Sequence, residues 1–310
     1  MNEEKKYEES VLEVYGEDLV NKTYITNPAI ARDEEIKKLI LILLTPEKSG
    51  ILVGKAGIGK TAVVEGLAYL IQKGEVPDKL KNFTVIKLNT MALVGGSGLK
   101  GEIAKRLRDL VEELKQKENI VLFIDEIHTL IGSAIDGSLD IANMLKPGLD
   151  RGSIKMIGAT TTDEYERYLV RDRAFLRRFE KVELEEPNKE VTLKIVMGTI
   201  PKIENKTGAR FKYSNFIVEN IVKFLVEITS EYKRVFEIAS RYPDITLALL
   251  SKAFSYAIYD NEQLVTLKHV YKAFVNANNI YPDVIEKERI NFKEKFREII
   301  AEENLNLDEG

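Results

Sequence analysis

The sequence predicts an α/β fold: a mostly parallel sheet flanked by helices, followed by a small all-α domain. Three observations predict it. Short apolar strands alternate with amphipathic helices as far as Glu186-Pro187, only helical periods follow from Asn188 to about Asp283, and a glycine-rich turn joins the first core strand to a helix. Parallel strands need long crossovers, and right-handed crossovers place the connecting helices on the faces of the sheet.

Residues 1–20 read as a charged amphipathic helix with Tyr7, Val11, Val14 and Tyr15 on one face. It either packs on the main body or docks a partner. Asp33 to Leu44 carries the apolar stripe Ile36, Leu39, Ile40, Leu43 and Leu44, and Asp33, Glu34 and Glu35 suit the positive end of a helix dipole; Pro46 stops the helix. The strand candidates are Ile51 to Val53, Thr84 to Leu88, Ile120 to Ile124, Lys155 to Gly158 and Lys181 to Leu184. Helices between them start near Lys60, Gly101 and Asp136. Beyond Pro187, helices are expected over Leu193 to Ile200, Phe216 to Ile228, Ile245 to Ile258 and Thr266 to Ala277, with Thr266 as an N-cap and no strand. The tail after Ile285 reads as a charged helix that frays.

Composition narrows the function. The chain has 310 residues, 44% of them hydrophobic, enough for a buried core. A formal net charge of −4 gives no basic footprint, so no nucleic-acid partner is expected. The absence of cysteine excludes thiol catalysis and thiolate metal sites. His128 and His269 do not suggest a zinc site. The longest aliphatic run, Leu39 to Leu44, is far too short to cross a bilayer, and the polar N-terminus carries no secretion signal; a cytoplasmic location is the default.

Gly54-Lys55-Ala56-Gly57-Ile58-Gly59-Lys60-Thr61 fits a P-loop, with an apolar strand entering and a helix leaving. Glycines let the backbone N–H groups curl toward phosphate oxygens, and the helix N-terminus favours anions. Lys60 is expected to reach the β- and γ-phosphates of ATP, and Thr61 to place its hydroxyl on Mg²⁺. The residues assigned to nucleotide are Gly54, Ala56, Gly57, Ile58, Gly59, Lys60, Thr61, Ala62 and Asp125.

Asp125 and Glu126 follow the buried strand Ile120 to Ile124, at the carboxyl end where open α/β sheets bind ligands. Asp125 is expected to hold the Mg²⁺ shell through water, and Glu126 to orient and polarise the attacking water. His128 is expected to pack or hydrogen-bond. At the next strand end, the hydroxyls of Thr160-Thr161-Thr162 either sense the γ-phosphate or cap a helix, and spacing does not separate the two. Arg177-Arg178 is either a solvated pair or a set of fingers for a neighbour's nucleotide.

Together these residues resemble the AAA+ ATPases, specifically the first ATPase module of the ClpA/ClpB/ClpC unfoldases. The resemblance extends to Leu12-Glu13-Val14-Tyr15-Gly16-Glu17-Asp18-Leu19, Pro28-Ala29-Ile30-Ala31-Arg32-Asp33-Glu34-Glu35-Ile36, Gly74-Glu75-Val76-Pro77, Asn143-Met144-Leu145-Lys146-Pro147 and Gly158-Ala159-Thr160-Thr161-Thr162-Asp163-Glu164-Tyr165. It is near-continuous from about Leu12 to Pro187. It implies Thr161 as the sensor residue, Arg177 and Arg178 as arginine fingers, Ile30 in the nucleotide box, and a homo-oligomeric ring, a hexamer, that acts on protein substrates. The implied domains are 1–27 (N-terminal helix and linker), 28–187 (nucleotide-binding), 188–285 (helical lid) and 286–310 (charged tail).

The sequence departs from the family at Ala31, where glycine is usual, at Leu99, where the pore loop carries an aromatic, and at Ile245, where the lid carries lysine. The 310 residues hold one ATPase module, without a second module, a coiled-coil middle domain or an N-terminal substrate domain, as expected of a natural single-ring protein or of an excised piece. Two further readings stay open: an ATP-gated scaffold ring with little threading, and a motor on nucleic acid.

Overall fold

Six strands form one sheet in the computed structural model, which describes residues 10–94, 100–131, 141–236 and 240–307. They are β1 (Gly16–Asp18), β2 (Ser49–Val53), β3 (Thr84–Leu88), β4 (Ile120–Ile124), β5 (Lys155–Thr160) and β6 (Phe179–Glu183). The spatial order is β1-β3-β4-β5-β2-β6, and every pairing is parallel except β1 with β3. The chain divides into two compact units. The first holds residues 1–54 and 60–184, and the second holds 55–59 and 185–310.

In the first unit, side chains alternate across β2 as a pleated strand requires. Ile51 and Val53 join a core with Leu107, Leu110 and Leu114 of the helix Lys100–Gln116. Gly50 turns the other way, onto Leu39 and Ile42 of the helix Asp33–Leu44. Both faces are thereby covered, and all five strand residues are buried, so β2 reads as a continuous apolar run.

The N-terminal segment differs from the expectation of one helix over 1–20. Among the described residues from 10 to 20, Val11–Tyr15 is helical, and residues 16–18 form β1 at the sheet edge. Gly16 makes the turn, because a Cβ there would sit 2.3 Å from the Leu12 carbonyl oxygen and 2.5 Å from Ile86 Cγ2. Glu113 holds the helix start, accepting from Ser10 Oγ at 2.8 Å and from the Val11 amide at 2.7 Å. Tyr7 and the expected helix start at Asp136 lie outside the described residues.

Ala31, where the family usually has glycine, adopts a left-handed backbone with φ 55. An L-side chain there costs about 1–2 kcal/mol, while glycine adds back about 0.4–1 kcal/mol of unfolded-chain entropy. Ala31→Gly is therefore expected to stabilise the fold by about 0.5–1 kcal/mol, read as a higher urea midpoint at unchanged slope. A lower midpoint would contradict the strain.

The second unit is built on the helices Lys189–Thr207, Asn215–Ile228, Asp244–Tyr259, Leu267–Val275 and Pro282–Lys295. Asn188 starts the first of them by accepting from the Val191 amide at 2.8 Å, and Gly208 ends it in the left-handed conformation. One result departs from the all-helical expectation. A short parallel pair, β7 (Arg210–Phe211) and β8 (Leu264–Val265), joins two loops. The charged tail, read as a helix, is helical over Pro282–Lys295 and Arg297–Glu302, with Phe292 fully buried and its ring centroid 5.1 Å from that of Phe224. The charged residues around Phe292 and Phe296 hide this anchor in the sequence. His269 is absorbed structurally: its Nδ1 accepts from the Thr266 amide at 3.0 Å at the start of Leu267–Val275. Arg234, almost fully buried, makes a bidentate pair with Glu186 at 2.6 and 3.1 Å.

Candidate active site

The parallel register fixes where the three motifs meet. β5 lies between β4 and β2, with Ile124 opposite Gly158 and Val53 opposite Thr160. The phosphate loop leaves β2, the acidic pair leaves β4 and the threonines leave β5, so all three emerge at one carboxyl edge. Gly57 (φ 74) and Gly59 (φ 99) take the left-handed backbone that the loop needs before the helix Lys60–Lys73 begins.

Lys60 is buried, and its Nζ donates to the Gly54 carbonyl at 2.8 Å. Burial lowers its pKa, opposed by the charges of Glu126, Asp125 and Glu164. Thr61 Oγ1 donates to Asp125 Oδ2 at 2.8 Å. This bond turns the hydroxyl proton toward Asp125 and leaves oxygen lone pairs for a cation. A hydroxyl and a carboxylate are hard oxygen donors, which suit Mg²⁺, so the residues present fit that ion. Lys87, from β3, brings its Nζ to 3.5 Å from the same Asp125 oxygen. Sequence reasoning missed Lys87. Its signal was a lysine at the carboxyl end of an apolar strand, one strand away from Asp125.

Glu126 is half exposed and has φ 53, which an L-residue adopts only when its surroundings impose it. The next amide, of Ile127, donates to the Ala159 carbonyl at 3.0 Å and ties the turn to β5. Partial burial, then the charge of Glu164, raises the pKa of Glu126. A raised pKa makes its carboxylate a better proton acceptor.

Thr161 is the N-cap of a short helix, Thr162–Glu164, in a reciprocal capping box with Glu164. The helix-cap reading of that threonine is thus realised in the geometry. Thr160, not Thr161, is the fully buried hydroxyl, 3.1 Å from His128 Nδ1. His128 hydrogen-bonds and packs as expected, its ring 5.9 Å from Tyr168 and nearly parallel to it.

The arginine pair splits. Arg178 is buried, pairs with Asp150 and donates to the Ala174 carbonyl at 2.8 Å, so it is already engaged within its own chain. Arg177 is exposed. Ile30 is half-buried, between buried Ala29 and left-handed Ala31. Leu99 lies outside the described residues. Ile245 packs in the core of the second unit, an apolar role that a lysine would not fill.

Residues 50–184 match the AAA family, the ATPase family associated with various cellular activities. With the P-loop strand, the acidic strand tip and the parallel sheet, that match identifies an AAA ATPase domain in residues 50–184, and the chain is similar to Clp ATPases. It is 43% identical over 231 residues to the chaperone protein ClpB of Bacteroides thetaiotaomicron, covering 73% of this chain and 26% of that protein. It is 40% identical over 239 residues to the ATP-dependent Clp protease ATP-binding subunit ClpE of Bacillus subtilis, covering 76% and 32%. Among solved structures, Hsp104 with ATPγS and FITC casein matches with a TM-score of 0.76 and 32% identity over 94% of this chain and 49% of that one. The S. cerevisiae Hsp104:casein complex in its extended conformation matches at 0.72 and 33%, over 86% and 45%. The chain spans about a quarter to a third of the length of these curated relatives. No described helix is long and apolar enough to cross a membrane.

Proposed function

We propose that this chain binds Mg·ATP at the carboxyl edge of its sheet and hydrolyses it at junctions between copies in a ring, to remodel protein substrates. The observation that carries the reading is the 2.8 Å bond from Thr61 to Asp125, which joins the end of the phosphate loop to the acidic tip. The metal, when bound, neutralises charge on the phosphate oxygens. Thr61 and Asp125 hold its shell, Lys60 turns from the Gly54 carbonyl to the phosphates, and Glu126 orients water and takes its proton. Residues 28–187 act as the nucleotide-binding domain, 188–285 as a helical lid, and Arg177 completes a neighbour's site.

The chaperone names of the relatives and the casein bound in the Hsp104 structures support a protein substrate, and the Clp resemblance supports a hexamer. Leu99, at the aromatic pore position, favours a second reading: a ring whose assembly ATP gates with little threading. ATPase activity measured against protein concentration tests the shared site. Turnover per chain is expected to rise with self-association and to require Mg²⁺. Flat turnover at every concentration would remove the junctions from the reading. ATP-dependent unfolding of a folded substrate, lost in Leu99→Asp with ATPase retained, separates a remodeller from a scaffold.

A further inference from the structure

One oxygen, Oε2 of Glu164, collects more partners than a helix cap requires. It accepts from Thr161 Oγ1 at 2.7 Å and from the Thr161 amide at 3.2 Å. Thr160 Oγ1 lies at 3.3 Å, and His128 Nδ1 at 3.1 Å. A capping box accounts for the contact with the Thr161 amide, not for the hydroxyl. It does not account for Thr160 or for His128, which belongs to the segment after β4. The same His128 nitrogen stands 3.5 Å from Glu126 Oε2. A chain of contacts therefore runs from the tip of β5 through Glu164 and His128 to the carboxylate at the tip of β4.

We infer that Glu164 is a positioning residue of the hydrolytic site, aiming the Thr161 hydroxyl and, through His128, fixing where the Glu126 carboxylate stands. The inference rests on the assignment of ATP hydrolysis to this edge. Thr161 Oγ1 donates its one proton in a hydrogen bond to Glu164 Oε2 and accepts from the Glu164 amide at 3.3 Å. The hydroxyl is thus directed, with a lone pair left for water. His128 Nδ1 lies within 3.5 Å of both carboxylates, so it links the exposed Glu126 to the Glu164 carboxylate that the helix cap holds in place. Positioning of this kind acts on turnover, because a misplacement of about 1 Å at a reacting group costs roughly 10²-fold.

Glutamine serves in capping boxes as glutamate does, so Glu164→Gln keeps the cap and an acceptor oxygen at that position while removing the negative charge that His128 and the Thr161 hydroxyl face. It is expected to lower kcat by about 10- to 100-fold while KM for Mg·ATP and the melting temperature stay near wild type. His128 lies outside the capping box, so His128→Gln is expected to lower kcat also. The double variant should fall no further than the more severe single one, because the two residues act as a unit. The chain has two histidines, so imidazole ¹⁵N spectra report them separately: in Glu164→Gln the His128 signals should move and those of His269 should not. Wild-type kcat in Glu164→Gln, or an unchanged His128 spectrum, overturns the inference. So does a loss of melting temperature and nucleotide affinity in proportion to kcat, which would mark a cap and nothing more. Absence of hydrolysis by the wild-type chain would instead overturn the assignment on which the inference rests, and the inference with it.

Discussion

Glu126→Gln is expected to abolish steady-state hydrolysis while leaving Mg·ATP bound. The side chain stands beside the phosphate loop, with its pKa raised first by partial burial and then by Glu164. Glutamine keeps the shape and one acceptor oxygen but takes no proton. A group that accepts a proton in the transition state contributes ~10²–10⁴-fold, and kcat should fall by that factor. The backbone at Glu126, φ 53, suits glutamine no worse than glutamate, so the melting temperature should not move. Affinity should hold or tighten, since one negative charge near the triphosphate is gone. Single-turnover hydrolysis and equilibrium binding of a fluorescent ATP analogue separate the two effects. Equal losses of binding and turnover would recast Glu126 as part of the binding surface. Wild-type turnover would move the proton acceptor elsewhere.

The centre of the sheet was legible because β2, β4 and β5 are buried on both faces. β2 and β4 read as unbroken apolar runs, and the glycine turn after β2 marks its end without ambiguity. β1 was not legible. It has three residues, Gly16–Asp18, none strongly apolar, and it exists because β3 offers an open edge and Gly16 lets the chain turn onto it. A pairing held by backbone hydrogen bonds leaves little periodicity in side chains. The helix Pro282–Lys295 was half legible: its buried residues are Ile285, Glu288 and Phe292, too few for a stripe. Glu288 satisfies its charge against Lys233 at 3.0 Å, a partner that sequence distance conceals.

Within the site, groups carried by one short motif were found and groups that meet through the sheet were not. Lys60, Thr61, Asp125 and Glu126 sit where strand ends place them. Lys87 and Glu164 approach from β3 and from the turn after β5, and their contacts exist only once β3, β4 and β5 lie side by side. The threonine run shows the same limit. Sequence spacing offered a sensor or a cap, and the geometry makes Thr161 a cap whose hydroxyl also faces Glu164, so the two roles are compatible.

Arg177→Ala and Arg178→Ala should differ, although the residues are adjacent. Arg178 is committed to Asp150 and to the Ala174 carbonyl, and its loss removes charge-assisted hydrogen bonds worth about 1.5–3 kcal/mol. Arg178→Ala is expected to melt earlier. Arg177 is exposed at the end of the helix Arg173–Leu176, and its replacement should leave the melting temperature unchanged. If Arg177 serves a neighbour's nucleotide, kcat should nonetheless drop by about 10³-fold or more, the lower end for arginine fingers. Mixing makes the test independent of any one structure. Arg177→Ala and Glu126→Gln chains are each inactive alone, but a junction that takes Glu126 from the first and Arg177 from the second is chemically whole. Recovered ATPase activity in the mixture would prove that the site is shared. An inactive mixture, with co-assembly verified, would confine Arg177 to its own chain and leave the ring without a catalytic reason.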